Sequence, residues 1–346
     1  MDYDVYAIHK YNSQLIHKYC KKNYIINDNY YQKIKNIIDE IDPFQKMEIL
    51  IGSGFIEGIQ NNKLIGNRLN RGNKPSIVHT IKSKKFFHMM AKNKINHPDW
   101  KLKAKLDNGW LIKSHSSFGG QKVWSNFNQD NLSEDIYFQK IIIGQHISIQ
   151  FLVEKGKIKI LCFCKQHFLQ EESRPFIING ITTISLKEKI KRKILSIIKK
   201  ISKFYSLNGL NSIDTVIDND EKVYLIEINP RPGLAFKLLS KIYGKKLFKL
   251  DSKLKKKIPN IGTIIIYSPK NLIYKNFNRS FLIHLKNSNK YSELPYKNNH
   301  LRKGSPICLK HFSFSKNENL EEKFKKITYK FLKDLLYEHK YKSNII

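Results

Sequence analysis

Arginine is scarce in this chain of 346 residues: seven of its 63 basic side chains are Arg, set against 29 acids and a formal charge of +34. Base readout and bidentate phosphate contacts draw on Arg, and the lysines are spread along the chain. With Asn and Ile also abundant, this is the composition an A+T-rich coding sequence gives. The charge therefore speaks to non-specific association and not to a nucleic acid as the main partner. Cysteine is sparse as well. Cys20, Cys162, Cys164 and Cys308 form no CxxC pair and no disulfide framework, which fits a reducing, cytoplasmic setting. No apolar run approaches a membrane span, and the opening MDYDVYAIHKYNSQ lacks the basic-then-apolar order of a secretory signal. Gly52, Gly54 and Gly58 are spaced GxGxxxG, not the GxGxxG of a dinucleotide fingerprint.

What is present reads as α+β with a largely antiparallel central sheet. MEILIGSGFIEG (47–58) is a short strand and a Gly-rich turn. IKSKKFFHMMAKNKINHP (81–98) is expected to be a helix stopped before Pro98. GWLIKSHSSFGGQKVW (109–124) reads as strand, Gly-rich loop, strand, and residues 136–168 as three strands turning near Gly144 and Gly156. Ile190, Ile194, Ile197, Ile201 and Phe204 recur at helical spacing, as do Leu320, Phe324, Ile327, Phe331 and Leu335 near the end of the chain.

The stretch SIDTVIDNDEKVYLIEINPRPG carries the chemistry. It reads as a hairpin, and alternation puts Glu227 and Asn229 on one face, together with Val223 and Leu225. With the turn centred between Asp220 and Glu221, positions summing to 441 face each other, so Asp214 lies opposite Glu227. Two opposed carboxylates repel and are costly to bury bare. A shared divalent cation resolves this, since Asp, Glu and Asn oxygens suit Mg²⁺, and Arg231 just beyond is placed to fork onto a phosphoryl oxygen. The other reading is a structural hairpin neutralised by Arg or Lys. His115 and His146 read as surface or hydrogen-bonding residues, with no second His at ligand spacing.

These residues resemble the metal-binding end of ATP-grasp proteins, which pair an Asp on one strand with Glu-x-Asn-x-Arg on the next. SKKFF and INHP are similar to that family's Lys-containing helix and following Pro, WLIKSHSSFGG to its strand Lys and phosphate-covering loop, and YFQKIIIGQHISIQFLV to its adenine-side strand. GSGF (52–55), GN (66–67) and ELP…KGSPIC (293–308) resemble the ATP-grasp proteins found with tetrahydromethanopterin- and methanofuran-type cofactor genes. The resemblance implies an ATP-grasp fold in three parts: a small α/β N-terminal, pre-ATP-grasp-like domain with its pattern eroded (1–80), a nucleotide- and metal-binding region (81–245), and a β-rich C-terminal part with a closing helix (246–346). It implies an ATP-dependent carboxylate–amine (or thiol) ligase working through an acyl phosphate, on small-molecule substrates. ATP and Mg²⁺, or Mn²⁺ in its place, would be the cofactors. On this mapping Asp214, Glu227 and Asn229 hold the metal and Arg231 steadies the transferred group. Lys113 contacts the α- or β-phosphate, with Lys84 as a second phosphate contact. Ser116, Ser117, Gly119 and Gly120 cradle the phosphates, and Gln139, Lys140, Ile141 and Ile142 line the adenine pocket. Lys140 and His146 stand where many members of the family carry acids, which favours the rival implication, a nucleotide-binding or interaction protein without turnover.

Overall fold

The computed structural model describes residues 4–9, 20–26, 30–52, 55–56, 62–103, 109–114, 120, 122–125, 136–169, 171, 174–244, 247, 258–273, 277–295 and 300–336. The chain forms two compact units, residues 1–43 with 260–346, and residues 44–259. The first opens with parallel strands β1 (Tyr6–His9) and β2 (Lys22–Ile25) and helix α1 (Tyr30–Ile41), which buries Ile34 and Ile38 four residues apart.

Residues 44–259 begin with two short parallel strands, β3 (Glu48–Ile49) and β4 (Leu69–Asn70), then α2 (Pro75–Ile81) and α3 (Lys85–Lys92). Pro75 sits in the first turn of α2, where its missing N–H costs no hydrogen bond. The expected single helix over 81–98 is thus two shorter helices meeting at Lys82–Ser83–Lys84, and α3 ends at Lys92, well before Pro98. A four-stranded antiparallel sheet follows in the order β5 (Trp100–Lys101), β8 (Ile136–Lys140), β6 (Trp110–Ser114), β7 (Val123–Trp124). The main sheet of this unit runs β13 (Val223–Asn229), β12 (Gly209–Ile217), β9 (Gln145–Glu154), β10 (Lys157–Phe168), β11 (Ile178–Ile184), antiparallel throughout.

Helix α4 (Glu188–Tyr205) covers one face of that sheet. Ile190, Ile194, Ile197, Ile198, Ile201 and Tyr205 meet Ile147, Ile149, Phe151, Val153, Ile213, Ile217, Val223, Leu225 and Ile228 in one cluster. Each such side chain contributes about 1.5–3 kcal/mol, so this face is the unit's main source of stability. Tyr205 takes the inward place expected of Phe204, which stays 47% exposed, because Tyr205 lies four residues after Ile201. Helix α5 (Phe236–Tyr243) follows.

The chain then returns to its first unit. Strands β14 (Ile261–Tyr267), β15 (Leu272–Ile273), β16 (Tyr291–Ser292), β17 (His300–Leu301) and β18 (Pro306–Ser313) come with helices α6 (Arg279–Asn287) and α7 (Leu320–Leu336). Strand β18 pairs antiparallel with β14 and β16. Ile266, Leu282, Leu285, Ile307, Phe331 and Leu335 form its core. His311 is buried there between the Thr263 and Ser292 hydroxyls, 2.8 Å from each. Among the described residues no helix is long and apolar enough to cross a membrane.

Candidate functional site

The β12–β13 hairpin places the carboxylates. Its turn is tighter than expected. Ile217 pairs with Val223 and Thr215 with Leu225, so positions summing to 440 face each other there, and the Asp218 main chain and side chain close the loop. A bulge then inserts Ile226 between Leu225 and Glu227, and Asp214 pairs with Glu227 after all. The extra residue also inverts the phase of the strand. Val223, Leu225 and Ile228 face α4, while Glu227 and Asn229 join Asp214 on the opposite face. The expectation that Glu227 and Asn229 share a face with Val223 and Leu225 is corrected by this bulge.

Two rows run across that face. In one, Cys164, Ser148, Asp214 and Glu227 are successive register partners on β10, β9, β12 and β13; in the other, Cys162, Gln150, Ser212 and Asn229 are. The Cys162 and Cys164 sulfurs, 3.6 Å apart and buried, close its inner edge. The Ser148 hydroxyl donates to Asp214, and Gln150 donates to Ser148 at 3.1 Å. Asn229 Nδ2 donates to Asp214 Oδ2 at 3.2 Å, leaving its Oδ1 for Lys82 Nζ at 3.2 Å. Lys82 also forms an ion pair with Glu227 Oε1.

Lys82 is the residue here that sequence reasoning passed over. It caps α2, its N–H bonded to Val78 O, and the break before α3 turns its side chain into the site. Ser83, whose hydroxyl donates to Thr80 O, was the available signal for that break. Lys84, two residues on, is exposed at the start of α3.

Arg231 is 8% exposed, with Nη2 3.5 Å from Asn229 Oδ1. Its approach is anchored by Asn73, whose amide donates to Pro230 O and Asn211 Oδ1, both at 2.8 Å, and accepts from Asn208 N–H at 2.8 Å. Gly209 belongs to the same clamp: a Cβ there would lie 2.1 Å from Arg71 O, and its φ is +66°.

Lys113 stands mid-strand in β6, with Nζ 3.1 Å from Gln139 Oε1. Burial pushes its pKa down, and the charges of Glu227 and Asp214 push it partly back. Gln139 is 2% exposed, and its Nε2 has no partner among the described residues. Lys140 is exposed, 3.9 Å from Asp99, while Ile141 and Ile142 are half-buried. The Lys140 and Ile141 amides already donate to Asp99 O and Gly109 O. Ser116, Ser117, Gly119 and His115 lie outside the described residues. Gly120 has φ +76° and abuts the Phe176 carbonyl, which a Cβ would strike at 1.8 Å. His146 is not a surface residue. It packs edge-on to Phe168 at 5.0 Å and against Phe176 at 5.3 Å, and burial with the nearby Lys113 charge lowers its pKa to about 4.

Burial and the facing Glu227 raise the pKa of Asp214 to about 6. Burial would raise Glu227 too, but the Lys82, Lys113 and Arg231 charges outweigh it and hold that carboxyl low. The three cations around two carboxylates leave the site net positive, suited to anions. Among the described residues no three His, Cys, Asp or Glu cluster as a closed metal cage. Two carboxylates and an amide oxygen on one face, Glu227 and Asn229 already accepting an ammonium, fit a hard cation that completes its shell with water and phosphate oxygens.

Residues 81–234 match the model of a family described as an ATP-grasp domain. No curated protein matches the sequence. Similar solved structures include a biotin carboxylase–β,γ-ATP complex from Campylobacter jejuni, 14% identical with TM-score 0.65, covering 96% of this chain and 91% of that one. An L-amino acid ligase from Bacillus licheniformis is 13% identical with TM-score 0.66, covering 96% and 98%. An N5-carboxyaminoimidazole ribonucleotide synthetase from Thermotoga maritima is 12% identical with TM-score 0.65, covering 97% and 92%. At these identities the likeness is one of fold: the chain has the ATP-grasp fold, α+β with a large antiparallel sheet.

Proposed function

We propose that this ATP-grasp protein is an ATP-dependent carboxylate–amine (or thiol) ligase. A substrate carboxylate oxygen takes the terminal phosphoryl group of ATP, releasing ADP. The nucleophile then attacks the acyl carbon, loses its proton, and phosphate leaves. The observation that carries this reading is the register that brings Asp214, Glu227 and Asn229 onto one face beside Lys82, Lys113 and Arg231. Phosphoryl transfer needs positioning and charge neutralisation more than covalent help. Asp214, Glu227 and Asn229 would hold Mg²⁺ or Mn²⁺, which supplies that neutralisation when bound. Arg231, fixed through Asn73 and Pro230, orients the transferred group. Lys113 meets a nucleotide phosphate, and the buried Gln139 amide offers a donor at the nucleotide end. The motif likeness at 52–55, 66–67 and 293–308 extends the reading to an amide- or glutamate-adding step in making a one-carbon carrier cofactor.

Calorimetry with a non-hydrolysable ATP analogue and Mg²⁺ tests it. Wild type is expected to bind only with Mg²⁺, and Glu227→Gln with Asn229→Ala to lose that binding. Failure of folded wild type to bind at moderate salt overturns the ligase reading. A second reading, nucleotide binding without turnover, is favoured by Lys82, whose ammonium already neutralises Glu227. It predicts binding indifferent to Mg²⁺ and no phosphate release with any carboxylate.

A further inference from the structure

We propose that Lys82 is a resident counter-cation of the carboxylate seat, which an arriving divalent ion must displace. The inference rests on the metal assignment above and adds to it a competition inside the protein. Lys82 Nζ is ion-paired to Glu227 Oε1 and lies 3.2 Å from Asn229 Oδ1, so it engages oxygens of two of the three assigned ligands. An ammonium and a divalent ion compete for these oxygens, because their charges repel at contact distance and both draw on Glu227 Oε1 and Asn229 Oδ1.

The need for a resident charge follows from the register. Asp214 and Glu227 are directly opposed, and with no cation between them the strand pair carries a repulsion that destabilises it. Lysine suits the task. Its charge is a compact point on a flexible stem and can swing away as a unit, where a forked guanidinium bound at two points would hold. The backbone of Lys82 stays put meanwhile, since its N–H is bonded to Val78 O. Lys84 and Lys85 are exposed and do not compete for the place. Lys113 acts on the same carboxylates through space, but its ammonium is bonded to Gln139, which makes it the control for charge without contact.

The experiment is Mn²⁺ binding without nucleotide, followed by the electron paramagnetic resonance of the free ion. Thermal melting with and without Mn²⁺ is measured on the same proteins: wild type, Lys82→Met, Lys82→Gln, Lys113→Met and Glu227→Gln. Lys82→Gln retains a polar donor near Glu227 without the charge, and its melting curve shows whether it is folded. Both Lys82 variants are expected to bind Mn²⁺ at least about tenfold more tightly than wild type, and Lys113→Met, which removes a charge acting without contact, to gain clearly less than either. Metal-free Lys82→Met is expected to melt below wild type and to recover the difference when Mn²⁺ is added. Lys82 variants that bind no more tightly than wild type, including no binding by any of them, overturn the competition. So does an equal gain in Lys113→Met, which reduces the effect to net charge. Mn²⁺ binding undiminished in Glu227→Gln instead overturns the metal assignment itself.

Discussion

The two ends of the site are finished to different degrees. At the carboxylate end, Asp214 accepts from Ser148 and Asn229, Glu227 is paired with Lys82, and the Pro230 carbonyl before Arg231 is held by Asn73. At the β6–β8 end, Lys113 leans on one half of the Gln139 amide, and the other half is buried with no partner among the described residues. An unpaired buried donor costs about 1–3 kcal/mol, which a ligand's acceptor relieves. On the proposed assignments one end would select by exchange, giving up one cation for another, and the other by completion.

Breaking the finished end has the largest effect. Asn73→Ala strips partners from the Pro230 carbonyl and Asn211, both buried, and from the half-buried Asn208 amide at once. The expected loss is about 3 kcal/mol, read as a lower urea midpoint at unchanged slope. An unmoved midpoint would show the clamp to be slack. The next effect is a pH dependence in metal-free buffer. With its pKa raised in the fold, Asp214 holds its proton more tightly than the unfolded chain does. Its contribution is full below the ordinary Asp range and is lost as pH rises through about 6. Asp214→Asn is thus expected to gain on wild type by about 1–2 kcal/mol as pH rises from about 4 to 7; a flat difference across that window removes the electrostatic account. The smallest test sharpens the other end. Gln139→Glu keeps an acceptor for Lys113 and removes the orphan donor. It should leave the free protein no less stable while weakening the ATP analogue about tenfold by calorimetry. Unchanged affinity would mean that the amide meets no ligand.

The strands, the α4 periodicity and the Asp214–Glu227 pairing were legible in the sequence because each is a local pattern of period two or 3.6. The pairing emerged through two offsetting departures, a turn centred at Asp220 and an extra residue at Ile226. The face did not, because a bulge inverts parity without leaving a compositional mark: Leu225 and Glu227 look like neighbours on one side. Lys82 was hidden for a related reason. Three lysines surround Ser83, and only the break between α2 and α3 decides which of them turns inward. His146, Ser148 and Gln150 alternate as polar residues within an apolar strand, and that signal was present but unread.

At the Ile226 bulge, β13 crosses from core to site while remaining in the ladder with β12. Glu227 and Asn229 therefore share their main-chain hydrogen bonding with the segment that anchors Leu225 and Ile228 under α4. Their amide protons should exchange with solvent only when the sheet itself opens, at the slow rate of the core and not the fast rate of a surface loop. The backbone under both side chains is thus as firmly held as the core, and on the proposed metal assignment an arriving ion would be met by side-chain torsions alone.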